Sequence, residues 1–183
     1  MIISQQLRKQ NIAEYVLYMW QVEDIIRAFN CDLTAIKRDY ISRFELDNEQ
    51  RDDMVDWYGN LIRMIREEGK TTSGHIQINN IVVQQMTELH NQLLSSPKFP
   101  FYNAEYYKVL PFIVELRGKR GEEETDEIET CLNALYGVMM LRLQGKEISN
   151  STDNAVKEIT TFIGMLSDYY KEDKEKGIKW EDE

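Results

Sequence analysis

The sequence predicts an all-α protein: a single-domain helical bundle of about six to seven helices, with a central, apolar N-terminal helix. Apolar residues recur at helical spacing along nearly the whole chain, and cap residues punctuate the periodic runs. Gly and Pro number only 9 and 3 in 183 residues, which leaves little room for the turns of an all-β fold. Residues 11–29, NIAEYVLYMWQVEDIIRAF, read as a helix that is apolar almost all the way round. At about 100° per residue, Ile12, Tyr15, Met19, Val22, Ile26 and Phe29 form one stripe, and Val16, Leu17, Trp20 and Ile25 widen it. A helix of this kind belongs in the middle of a bundle.

Taken in order, the first helix is expected from near Ser4 to about Asn30. Asp32 caps a short second helix with Leu33, Ile36, Tyr40 and Ile41 on one face. Asp47 or Asn48 opens a third, carrying Met54, Tyr58, Leu61 and Ile65, and Gly69 stops it as a left-handed C-cap. The polar run KTTSG is a loop. A fourth helix runs from about His75 to Ser95, with Ile78, Val82, Met86, Leu89 and Leu93 at core spacing. Pro97 and Pro100 enclose an extended connector. Asn103 is expected to cap a fifth helix ending near Gly118, and Pro111 inside it predicts a kink. Acidic residues Glu122 to Asp126 favour the next N-terminus through the helix dipole. That sixth helix continues to about Lys146, with Ile128, Cys131, Leu135, Val138 and Met139. Ser151 or Thr152 begins a seventh, with Val156, Ile159, Ile163, Leu166 and Tyr170. The expected organisation is one helical domain over residues 1–171 and a charged, frayed tail over residues 172–183.

Bulk properties exclude some functions. A net charge of −10 argues against nucleic acid, whose phosphates call for a basic surface, and against anionic lipid. The longest uninterrupted apolar stretch, Ala134 to Leu141, has a Gly inside it and is far short of a membrane span. The N-terminus lacks the pattern of a secretion signal. Cys31 and Cys131 make no metal spacing and read as buried thiols. The expected compartment is the cytoplasm.

Recognisable catalytic patterns are missing. GKRGEEE follows a helix and lacks the spacing of a phosphate-binding loop. Glu88 and His90 are two apart, on different faces, and do not make the Glu-x-x-His pair of a di-iron bundle. With only His75 and His90 in the chain, a three-histidine metal site is ruled out. Neither a metal nor a cofactor is expected.

Four ionisable residues nevertheless sit inside apolar stripes. Glu23 lies between Ile12 and Val16, one turn before Arg27; a carboxylate there must be paired, protonated, bound to something or at the rim. His90 lies between Met86 and Val83, with Asn79 on the same face. Arg117 ends the fifth helix in line with Tyr106, Leu110 and Ile113, and Arg142 lies between Cys131 and Leu135. Each has an ordinary explanation: a rim ion pair for Glu23 and Arg27, a carbonyl-bonded core histidine, arginines at helix C-termini. The sharper expectation is that they converge on one polar cluster that fixes helix register or lines a small-molecule pocket. Residues 97–107, PKFPFYNAEYY, add Phe99, Phe101, Tyr102, Tyr106 and Tyr107, which suit a ligand wall, a partner surface or an anchored connector. The basic cluster Arg117, Lys119 and Arg120 suits either an anion held at a loop or an ordinary solvated turn.

The blocks NIAEYVLYMWQVEDIIRA, GHIQIN, SPKFPFYNAEYYKVLPFIVELRGK and IETCLNALYGVMMLRLQGKEIS resemble a family of Bacteroidetes-type bacterial proteins described only as a domain of unknown function. The resemblance spans about residues 5–170. It implies a single cytosolic helical domain and brings no reaction, cofactor or catalytic residue.

Two readings of function follow. The first is a non-catalytic helical interaction or scaffold protein, self-associating or bound to a protein partner, with no nucleic acid or membrane involved. Surplus apolar helix surface, eight adaptable methionines and the missing catalytic patterns favour it over an enzyme. The alternative is a small-molecule-binding protein or metal-independent enzyme. Its pocket would be built from Glu23, Arg27, His90, Tyr106, Tyr107, Arg117 and Arg142, with Glu23 as acid/base or counter-ion and Arg117 or Arg142 holding an anionic group.

Overall fold

The computed structural model describes residues 2–120 and 125–180, and the acidic run at Glu122–Glu124 lies outside them. Among the described residues there are eight α-helices and no strand, one helix more than the upper expectation. The extra helix comes from Asn11, which divides the expected first helix into α1 (Ile2–Gln10) and α2 (Ile12–Ala28). Asn11 takes an extended conformation, and its Oδ1 accepts the backbone N–H groups of Ala13 and Glu14, both at 3.1 Å. Its Nδ2 reaches the Glu14 carboxylate at 3.1 Å. Asn11 is thus a side-chain N-cap held by Glu14 at N3; its own backbone N–H bonds to Leu7 O at 2.8 Å and ends α1. The apolar periodicity runs on across the break and masks it.

The next elements are α3 (Leu33–Asp39), a single 3₁₀ turn (Ile41–Arg43) and α4 (Asn48–Glu67). Asp32 and Asp47 cap α3 and α4 as expected. Gly69 stops α4 at φ +68°. Its N–H bonds to Arg66 O at 3.1 Å, and the N–H of Lys70 to Ile65 O at 2.7 Å, a Schellman motif. Helix α2 ends in the same way on Asn30, at φ +53°, with Asn30 N–H on Arg27 O and Cys31 N–H on Ile26 O.

The second half comprises α5 (Gln77–Ser95), α6 (Pro100–Arg120), α7 (Glu127–Leu143) and α8 (Asn150–Lys176). Helix α6 starts three residues before the expected cap, because Pro100 occupies its first position, where a missing N–H costs nothing. Asn103 then lies within the first turn and donates its Nδ2 to Phe99 O at 3.1 Å. Pro111 lies inside the helix and deprives the Tyr107 carbonyl of its partner. Both residues lie on the exposed face, where water can serve that carbonyl. Gly145, at φ +68°, closes α7, and Ser149 caps α8 through Thr152 N–H at 3.2 Å.

Helix α2 packs against α1, α4, α5, α7 and α8 and buries Tyr15, Val16, Met19, Trp20, Val22 and Ile26. It is the centre of the bundle. Helices α5 to α8 pack around one another, while α3 and α4 form a side layer resting on α2 through α4. The C-terminus departs from the expected tail beginning at 172. Helix α8 continues to Lys176, and beyond Gly177 both Ile178 and Trp180 pack against the core. The Trp180 ring lies 5.6 Å from Phe99, edge to face. The run of charges hid these two apolar residues, which share one side of an extended segment.

Candidate functional site

Two polar centres are built into the bundle, and they divide the expected cluster between them. The first surrounds Glu23, which is fully buried. Its Oε1 accepts the N–H of Ile76 at 3.1 Å and the Asn79 Nδ2 at 2.6 Å. Its Oε2 lies 2.6 Å from His75 Nδ1 and 3.7 Å from the Arg27 guanidinium. Ile76 is the N-cap residue of α5 and Asn79 lies in its first turn. Glu23 therefore holds the N-terminus of α5 onto α2, in the position where a helix end favours negative charge. Trp20 stacks on His75 with centroids 4.2 Å apart and planes 14° apart, so the imidazole is gripped on its face as well as at its nitrogen.

Arg27 performs a related task. Its Nε donates to Lys70 O at 3.0 Å and an Nη to Gly74 O, clamping both ends of the KTTSG loop. Its other Nη pairs with Asp24 at 2.8 Å, and Asp24 accepts the Tyr136 hydroxyl at 2.5 Å. Burial, together with this bond to Asp24, drives the Tyr136 pKa upward. Asn79 Oδ1 and Trp20 Nε1 are buried without a hydrogen-bond partner among the described residues.

The second centre surrounds His90, 2% exposed. Tyr102 Oη lies 2.7 Å from its Nδ1, and Glu127 Oε2 lies 3.3 Å from its Nε2. A carboxylate only accepts, so Nε2 carries the proton and donates to Glu127, and Nδ1 accepts from the Tyr102 hydroxyl. Glu127 also accepts from the Tyr106 hydroxyl at 3.2 Å and faces Arg117 at 3.9 Å. Arg117 Nε reaches Thr130 Oγ1 at 3.4 Å. Burial holds His90 below its ordinary imidazole value, against the opposing pull of Glu127. Burial also raises Tyr102 strongly, pushes Tyr106 to about 12, and pushes the nearby Cys131 thiol to about 12. These groups stay protonated at neutral pH. The chain Tyr102–His90–Glu127 is ordered like a nucleophile, base and orienting acid, but its hydroxyl end is fully buried among Phe162 and Tyr169. It joins α5, α6 and α7 rather than facing a substrate.

Glu23 and Arg27 thus share one centre, and His90, Tyr106 and Arg117 share the other. The pocket imagined around Glu23 with Arg117 or Arg142 is not formed, because each arginine has its own partner elsewhere. Arg142 is on the surface, paired with Asp153 at 2.8 Å, beside an apolar groove of about 390 Å³ lined by Leu17, Leu135 and Val156. Tyr107 is 66% exposed. Lys119 and Arg120 have no described side-chain placement. Sequence reading missed His75 and Glu127 as site residues. Both sit at the start of a helix, next to a loop, and nothing local links them to partners 52 and 37 residues away. Among the described residues, no group of His, Cys, Asp and Glu is placed to hold a metal ion, and no helix is long and apolar enough to cross a membrane.

The fold and its two centres define an all-α bundle whose buried polar groups tie helices together. The chain belongs to the family described as Domain of unknown function (DUF4924), whose model matches residues 1–177. No curated protein and no solved structure matches it.

Proposed function

We propose that the protein is a non-catalytic, cytoplasmic helical protein of a bacterial cell that self-associates through the exposed face of α6. The observation that carries this reading is an uncharged stripe along α6: Pro100, Ala104, Tyr107, Pro111, Val114 and Gly118, all exposed. Their alternating spacing of four and three is the seam of a heptad pattern. Tyr107 and Val114 are 66% and 60% exposed, unusual for large apolar side chains in a row.

The occupant favoured by charge is a second copy. Two chains of net charge −10 repel at long range, so they approach at least cost along a stripe that carries no charge of its own. One exposed cation, Lys108, and one exposed carboxylate, Glu115, flank it. A two-fold interface also sets each residue against its own counterpart region, which suits a stripe without charge. The internal use of Glu23 and Glu127 supports the non-catalytic part of the reading, since both are engaged in holding helices.

Sedimentation velocity over micromolar concentrations tests it. The natural chain is expected to sediment as a dimer, and the double variant Tyr107→Glu, Val114→Glu as a monomer with unchanged helical content. A natural chain that stays monomeric throughout overturns the proposal.

A further inference from the structure

We propose that the groove between α1 and the C-terminal part of α8 binds a small phosphate-bearing molecule. The groove encloses about 280 Å³ and brings together Arg8 and Lys9 of α1 with Lys171 and Lys174 of α8, above Ile12 and Tyr170. The chain has 32 acidic and 22 basic residues, so a groove lined by four cations and a single carboxylate runs against the overall charge, although among the described residues other cations, such as Lys37, Arg43 and Lys146, also lack a carboxylate partner. Arg27, Lys108, Arg142 and Lys157 all have one. Among the described residues, Arg8, Lys9 and Lys171 have none.

Two of the cations lie over rings, and Lys174 also faces the Asp173 carboxylate at 3.7 Å. The Arg8 guanidinium lies 5.6 Å from the Tyr15 centroid, and the Lys174 ammonium 5.2 Å from that of Tyr170. A ring face positions a cation without neutralising it, so the positive field remains available to a ligand. Tyr170 is itself buried and anchored, its hydroxyl donating to Gln85 at 2.8 Å. The C-terminal dipoles of α1 and α8 favour basic residues at each end. They do not account for four cations converging from helices at opposite ends of the chain. Glu175 is the one carboxylate among the lining residues.

The chemistry selects the ligand class. A doubly charged phosphoryl group takes paired donors from a guanidinium and single donors from ammonium groups, while Ile12 and the Tyr170 ring offer surface to a carbon skeleton. The volume lies near the lower bound of small-molecule pockets, matching a metabolite rather than a polymer. A lipid headgroup carries the same phosphate, and the experiment separates the two.

The test is calorimetric titration of the full chain with inorganic pyrophosphate at low salt, beside co-sedimentation with phosphatidylglycerol vesicles. Saturable one-site binding is expected, weakened at least about tenfold in Arg8→Gln, Lys171→Gln, since each charged hydrogen bond lost is worth about one such factor or more. Pyrophosphate should also raise the melting temperature of the natural chain but not of this variant. A control, Lys37→Gln, Arg43→Gln, removes two exposed cations near α3 and should leave binding unchanged. Absence of saturable binding, an equal loss in the control, or binding to vesicles without binding to pyrophosphate overturns the proposal.

Discussion

Glu23 illustrates how one buried carboxylate is made tolerable. Its oxygens are used by Ile76 N–H, Asn79, His75 and, at longer range, Arg27, so the desolvation of the charge is offset by several oriented donors. Glu23→Ala leaves those donors without an acceptor and is expected to cost about 3 kcal/mol. Urea denaturation checks this as a lowered midpoint with an unchanged slope. Glu23→Gln should cost less, because its amide oxygen still serves the N-terminus of α5. His90 makes a second prediction. Burial lowers its folded-state pKa below the unfolded value of about 6.5. The unfolded chain therefore takes up a proton before the folded one, and stability falls as pH drops below about 6.5 toward the lowered value. Urea midpoints measured from about pH 7 to about pH 5 should fall more steeply for the natural chain than for His90→Asn, which lacks this titration.

Among the elements, the break between α1 and α2 shows a cap overriding periodicity. Apolar spacing alone continues through residue 11, yet Asn11 satisfies two N–H groups of α2 and ends the register of α1. Asn11→Ala is expected to lower stability by about 1 kcal/mol. The measurement is amide hydrogen exchange, which should quicken at Ala13 and Glu14 before the rest of α2. The start of α6 teaches the converse: Pro100 sets the helix N-terminus by its fixed φ, and Asn103, the better cap by residue type, is drawn into the first turn. The stretch Gln77–Ala104 contains Glu88 and Lys98 as its only charged side chains. The low charge of this region leaves the α6 stripe without neighbouring repulsion at its N-terminal end.

At the level of the whole molecule, the acidic surface and the uncharged α6 stripe act together. Repulsion between copies disfavours contact everywhere except where charge is absent. If the stripe is the contact, the melting temperature of the natural chain rises with concentration by mass action, and that of Tyr107→Glu, Val114→Glu does not. Trp180 extends the same molecule in another way: by lying on Phe99 it ties the end of the chain to the α5–α6 connector, so the core includes residues that a charge-based boundary would discard.

Much of the architecture was legible because its signals are local. The periodicity of α2, α4, α5 and α8, the Asp32 and Asp47 caps and the Gly69 stop each depend on residues within a turn or two, and the all-round apolarity of α2 correctly put it at the centre. The anomaly of Glu23 was legible as well, since its place in an apolar stripe is a property of its own helix. Its partners were not. Whether Glu23 meets Arg117, Arg142 or His75 depends on how α2 is placed relative to α5, α6 and α7, and a one-dimensional pattern holds no information on those separations. By itself the sequence determined the helical class, the central helix and the positions where charge sits awkwardly. Only the tertiary structure decided that those charges form two separate centres, that Arg142 stays at the surface, and that Arg8 and Lys171 face one groove, because each depends on the relative placement of helices far apart in the chain.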